Sequence, residues 1–168
     1  MKSNIAVIGL GNTLLQDEGI GVHVVTMLKE NYTFCPAVDV LDGGTMGLDL
    51  IPFLEGKDKV LFVDAVDFGK EPGSIGIVER NNISSIFNGK LSVHHLGLAD
   101  VVSVLRLMDV QPSEICLIGV QPHSIEVGLE LSEPLRGVFH SLVGATIGKL
   151  GEWNVGCRLR KIEPDYVM

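Results

Sequence analysis

The chain has 168 residues, 13 Lys and Arg against 21 Asp and Glu, and a formal net charge of −8. That length suits one domain with a sizeable core, and the acidic balance, with a pI near 5.0, excludes a basic footprint for nucleic acid or anionic membranes. The three cysteines, Cys35, Cys116 and Cys157, are odd in number, far apart and free of any C-x-x-C pair. A disulfide framework and a zinc knuckle are therefore not expected, and a reducing, cytoplasmic setting is. No apolar run reaches the ~18 residues a membrane span needs, and the amino terminus lacks the length of a secretory signal.

In chain order, Asn4 to Gly11 is a continuous apolar run, the pattern of a strand covered on both faces in a parallel sheet. A loop over 12–17 follows, then a helix with Ile20, Val24, Met27 and Leu28 at helical spacing, closing at Asn31. Val38 to Asp42 is read as a short strand, Gly43-Gly44 as a turn, and Thr45 as the N-cap of a helix burying Met46, Leu50, Phe53 and Leu54. Lys59 to Asp64 is the next strand. Ser74 to Glu79 is reached through the short Glu71-Pro72-Gly73 connection, which suits an antiparallel or edge strand better than a helical crossover.

From His95 onward, Leu98, Val101, Val102, Leu105 and Met108 form one apolar stripe of a helix. Glu114 to Val120 is a further buried strand, and Leu135 to Leu150 traces a closing helix with Ser132 as cap and Pro134 in its first turn. Residues 1–150 thus read as a single α/β domain. The expected architecture is three layers, with helices on both faces of a twisted, mostly parallel but mixed sheet. Residues 151–168 show no strong period and are expected to be a partly disordered tail.

In this class ligands bind beyond the carboxyl ends of the strands. Glu18 in the first loop, Asp64 at the end of a strand and His94 just before a helix all fall there. Two carboxylates and an imidazole form a mixed set suited to zinc, nickel, manganese or iron(II), with positions left for water or substrate. Each also has an ordinary reading: a loop acid capping a helix, a strand-end Asp tying a turn, a His satisfying backbone groups.

Gly9-Leu10-Gly11-Asn12 invites comparison with a dinucleotide loop, but Leu14 replaces the third glycine. Asp17 and Glu18 would moreover repel a phosphate. Asp42-Gly43-Gly44-Thr45 is read either as a capping turn or as a backbone edge for a ligand, the turn being favoured on chemistry alone. His95 should point differently from His94. His23 and His140 lie within helices, and His123, after a strand, is the reserve candidate. No G-x-S-x-G elbow or H-E-x-x-H pair is present.

Five blocks, in order, resemble the hydrogenase maturation proteases, endopeptidases that trim the C-terminal extension of nickel-iron hydrogenase large-subunit precursors. They are Gly9 to Gly21 (G-L-G-N-T-L-L-Q-D-E-G-I-G), Asp42 to Gly47 (D-G-G-T-M-G), Val63-Asp64-Ala65, Ser92 to Asp100 (S-V-H-H-L-G-L-A-D), and Ile118 to Pro122 with Leu131 to Pro134. The resemblance implies that Glu18, Asp64 and His94 bind metal, that the metal is nickel already placed in the precursor, and that Asp42, Gly43, Gly44 and Thr45 handle substrate. It leaves open whether His95 takes the place of His94, and whether the metal activates water, with Glu18 or Asp64 as base, or only gates recognition. It implies no organic cofactor and one partner, the precursor, with the protease expected to be a monomer. The alternative is an accessory protein that binds nickel without cutting.

Overall fold

The computed structural model describes residues 4–86 and 93–161, the side chains of 93–97 aside. Its centre is a five-stranded sheet of β1 (Ile5–Leu10), β3 (Asp39–Gly44), β4 (Lys59–Ala65), β5 (Ile75–Glu79) and β6 (Glu114–Val120), ordered β3-β1-β4-β6-β5. β1 runs parallel to β3 and β4, and β4 parallel to β6. β5 pairs antiparallel with β6 at the edge, as its short connection predicts. β1 is buried along all six residues and β4 along all but Lys59, which is why both read as unbroken apolar runs instead of alternating ones.

Strand side chains point alternately to two faces, and each face has its own core. On one face Val7, Leu61, Val63 and Ile118 meet Val24, Val25 and Leu28 of α1 (Ile20–Asn31) and Leu135, Leu142 and Leu150 of α5 (Glu133–Glu152). On the other, Ala6, Ile8, Phe62 and Leu117 meet Leu54 of α2 (Ile51–Leu54), Ile83 of α3 (Arg80–Ile86), and Leu98, Val101, Val102 and Leu105 of α4 (Val93–Leu107). Burying each such aliphatic side chain contributes about 1.5–3 kcal/mol. The three-layer α/β architecture expected from the pattern is the one observed.

The local departures have physical reasons. Gly43 and Gly44 are the last residues of β3, not a turn. Beyond them a 3-10 turn, Gly47–Leu50, precedes a single turn of α2, and Thr45 makes no capping bond there. Only Leu50 and Leu54 of the four residues expected in the core are buried, while Met46 and Phe53 are exposed. With so short a helix the 3.6-residue stripe has no room to repeat. Met108 lies past the end of α4 and is half exposed. Helix α4 begins at Val93, so His94 lies in its first turn, not before it.

The largest departure is at the carboxyl end. Helix α5 runs through residue 150 to Glu152, Trp153 and Val155 are buried in the α1/α5 core, and β7 (Gly156–Leu159) pairs antiparallel with β2 (Tyr32–Cys35) as a second, two-stranded sheet. Both strands are four residues long and half exposed, too short to betray a period. Trp153 is fixed by donating its indole N–H to Glu114 at 2.7 Å and by the ammonium groups of Lys59 and Lys149 lying 5.6 and 5.7 Å from its ring. Lys149, itself buried, bonds Glu79 at 3.0 Å and Glu152 at 3.1 Å.

Residues 151–161 are thus part of the fold, and residues 162–168 of the expected tail lie outside the described residues. Trp153→Ala is expected to destabilise the protein by about 3–5 kcal/mol. Chemical denaturation with an unchanged m-value would check this, and a loss under about 1 kcal/mol would show that the segment is dispensable.

Candidate active site

The acidic loop after β1 is held by one carboxylate. Asp17 is wholly buried, and its Oδ2 accepts the backbone N–H groups of His123 and Ser124, each at 2.9 Å, and the Ser132 hydroxyl at 2.7 Å. Its Oδ1 accepts the Ser132 N–H at 2.8 Å. Burial alone would raise the pKa of this group, but the four donors outweigh it and the carboxyl lies below its ordinary range. Ser132 occupies the N-cap position of α5, as expected, but its hydroxyl serves Asp17 instead of the helix. Asp17 was visible in sequence only as a loop acid, because its donors lie more than a hundred residues away.

Backbone bonds complete the junction. Gln16 N–H donates to Gly128 O at 2.9 Å, Gly128 N–H to Leu14 O at 2.9 Å, and Asp17 N–H to Ser124 O at 3.1 Å. Gln16 takes a positive φ of 48°, a conformation that non-glycine residues reach at a cost of order 1–3 kcal/mol. Close packing fixes the other side of the loop. Gly11 has φ 124°, and a Cβ there would stand 1.7 Å from the Glu18 carbonyl oxygen. Of the glycines that invite a dinucleotide reading, Gly11 is thus needed to seat the acidic loop on the end of β1, and Gly9 to let α1 approach the strand, since a Cβ there would stand 2.2 Å from the Gly21 carbonyl oxygen.

This seating places half-buried Glu18, in the 3-10 turn Gln16–Gly19, beside the end of β4. There Asp64 is 2% exposed, and its Oδ1 accepts the Ala65 N–H at 2.8 Å. The Asp64 pKa is pushed well above the ordinary carboxylate range. Burial is the main cause and the negative charge of Glu18 adds to it, against the opposing Ala65 hydrogen bond. The structure therefore brings Glu18 and Asp64 together at the carboxyl edge of the sheet. Such a like-charged, desolvated pair is relieved by a proton or by a cation.

His94 and His95 lie in the first turn of α4, and their side chains are outside the described residues. Among the described residues no three His, Cys, Asp or Glu side chains form a metal-sized cluster.

The Asp42-Gly43-Gly44-Thr45 segment has a defined structural task. The Asp42 carboxylate accepts the Gly44 N–H at 2.9 Å, and Gly44, at φ 42°, offers its carbonyl to Gly11 N–H at 2.9 Å. The segment thus ties the end of β3 to the end of β1. The reserve histidine, His123, joins this junction through its backbone N–H to Asp17. His23 lies within α1, where burial lowers its pKa. His140, within α5, stands edge-on to Phe139 with ring centroids 5.8 Å apart. Cys116 is no nucleophile: it is buried at the middle of β6, and burial, with Glu79 adding, pushes its thiol up to about 12.

Comparison with known proteins decides among the chemistries that an acid pair allows. A family model described as hydrogenase maturation protease matches residues 22–149. The chain belongs to that family. The hydrogenase 2 maturation protease of Escherichia coli K12 is 36% identical over 152 residues, covering 90% of this chain and 93% of the relative. The hydrogenase expression/formation protein HupD of Rhizobium leguminosarum is 37% identical over 159 residues, covering 93% and 78%. Among solved structures, the hydrogenase maturating endopeptidase HybD from E. coli matches with a TM-score of 0.88 at 34% identity, covering 93% of this chain and 97% of that one.

This hydrogenase maturation protease is accordingly an endopeptidase. Its Asp17 junction yields a prediction with a definite pH sign. The folded state holds Asp17 ionised, with a pKa below that of the unfolded chain. Its stabilisation is therefore complete above about pH 4, the ordinary Asp value, and is lost as pH falls through the lower folded value. Asp17→Asn is expected to cost about 3 kcal/mol or more at pH 7 by leaving buried donors unmatched. The gap in melting temperature between variant and parent should narrow as pH falls from about 5 towards 2. A gap that stays constant across this range would exclude an ionised Asp17 as its source.

Proposed function

We propose that this endopeptidase removes the C-terminal extension of a nickel-iron hydrogenase large-subunit precursor after nickel insertion, and that it recognises nickel carried by that precursor. The supporting observation is the placement of Glu18 beside the buried Asp64, whose carboxyl pKa is raised by burial and by its neighbour's charge. A divalent cation brought between them would relieve both costs at once. Glu18, Asp64 and His94 then donate two oxygens and a nitrogen to a nickel whose other ligands stay with the substrate, a donor set that nickel accepts.

In this reading nickel is part of the substrate. Precursor without nickel presents no charge to offset the acid pair, so it docks poorly and is spared. The residues themselves orient the metal-bearing segment so that the scissile peptide, just beyond it, lies along the end of the sheet. The Asp42-Gly43-Gly44-Thr45 segment, whose backbone closes the β3 side of the site, lies against that peptide. With that cation bound and Asp64 ionised, Glu18 or Asp64 takes a proton from an attacking water. Relatives named as maturation proteases or endopeptidases favour this reading over a nickel-binding accessory protein that cuts nothing. A cytoplasmic location fits this task, and no described helix is long and apolar enough to cross a membrane.

The test mixes purified protease with nickel-loaded and nickel-free precursor and follows release of the C-terminal fragment by mass spectrometry. Cleavage of the loaded form is expected to be at least a hundredfold faster, and equal rates on both forms would remove nickel from the mechanism. The Glu18→Gln, Asp64→Asn double variant should retain its fold by circular dichroism and lose cleavage by at least a thousandfold. Residual activity within tenfold of the parent would remove the acid pair from it.

A further inference from the structure

Exposed apolar side chains are unevenly placed on this molecule. Of the eleven large ones exposed among the described residues, six lie on loops beyond the carboxyl ends of β1, β3 and β6. They are Leu14, Met46, Leu48, Ile125, Val127 and Leu129. Single exposed aliphatics need no explanation, but a group gathered around a site does.

The densest part is a crown of four: Leu14 at 59% exposure, Ile125 at 56%, Val127 at 87% and Leu129 at 70%. They come from two loops that are fastened together. Gly128 pairs with Leu15 in an isolated parallel bridge and bonds Leu14 and Gln16, and a Cβ on Gly128 would come within 2.9 Å of the Gln16 side chain. The Asp17 carboxylate holds the same two loops from beneath. The crown is thus preorganised on the junction that seats Glu18, with Leu14 on the loop that carries Glu18 and the other three on the loop after β6.

Charge indicates what fits there. Glu126, Glu130 and Glu133 are exposed and interleaved with the aliphatics, against the single Arg136, over residues 123–137. An apolar surface with carboxylates among its residues is complementary to an apolar segment flanked by basic side chains.

We infer that this crown is the docking surface for the polypeptide the enzyme cleaves, binding an apolar segment of the precursor that carries Lys or Arg beside it. The inference rests on the proposed processing of a hydrogenase precursor and adds where that partner is gripped. An endopeptidase must bring a protein substrate to its acid pair, and an apolar surface on the junction that seats Glu18 is covered by the same substrate. Docking here would separate recognition of the folded precursor from recognition of its metal. The crown would contribute affinity common to loaded and unloaded forms, and the acids would discriminate between them.

The experiment uses the full chain and nickel-loaded precursor, with steady-state cleavage as readout. Val127→Ser combined with Leu129→Ser should raise KM at least tenfold with a smaller change in kcat, and Glu126→Lys combined with Glu130→Lys should do the same and weaken the salt dependence of KM. Leu107→Ser, 85% exposed on α4 and remote from these loops, should leave KM unchanged. Melting curves matching the parent establish that each variant is folded. A folded crown variant with parental KM would overturn the docking surface while leaving the proteolytic reading intact. A parent protein that fails to cut loaded precursor would overturn both. An equal rise in KM for the Leu107 variant would show a general effect of surface polarity and also overturn the inference.

Discussion

The site depends on a buried carboxylate that does no chemistry. Asp17 gathers four donors from two distant segments, and through them the loop after β1 is fixed to the loop after β6. A buried charge is tolerated only when its hydrogen-bonding capacity is filled, and here the filling groups are mainly backbone N–H groups of an otherwise irregular segment. Those N–H groups need acceptors as much as Asp17 needs donors. The two loops therefore solve each other's problem, and Glu18, the next residue, inherits a fixed position.

Two buried acids, Asp17 and Asp64, sit in opposite environments. Asp17, surrounded by donors, is stabilised as an anion. Asp64, buried at the end of β4 with Glu18 nearby, is strained as one. The difference between a carboxylate favoured as an anion and one disfavoured as an anion lies in what surrounds it, since both are almost inaccessible to water. Pushing pKa values apart in this way is the common means by which sites acquire acid–base or cation-binding character.

Much of this was legible in the sequence, for reasons that can be named. β1, β4 and β6 are apolar along nearly their whole length because helices cover both faces, and α1, α4 and α5 are long enough for their stripes to repeat. Glu18 and Asp64 were placed at one edge by topology alone, and the structure brings them together. β2 and β7 were not legible, being four residues each and stabilised by distant partners such as Trp153, while the helix expected after Thr45 was legible but shorter than its apolar residues suggested. The role of Asp17 was hidden for the same reason: Gln-Asp-Glu reads as a polar loop until residues 123–132 fold back upon it. His94 was placed at the same edge by its position at the start of a helix, but no spacing singles it out from His95, and the side chains of both lie outside the described residues.

The two carboxylates of the pair are also anchored to parts of the molecule that differ in resistance to opening. Asp64 ends β4, the central strand of the sheet, flanked by β1 and β6 and covered on both faces. Glu18 rides on a loop whose hold consists of a few backbone bonds and one carboxylate. Local fluctuations of a native protein follow such differences, freeing peripheral segments at far lower cost than central strands. Separation of the pair thus requires only that the two loops part, while the sheet stays intact. The position of Glu18 relative to Asp64 is consequently as secure as the Asp17 junction and no more so, whereas that of Asp64 is as secure as the sheet itself.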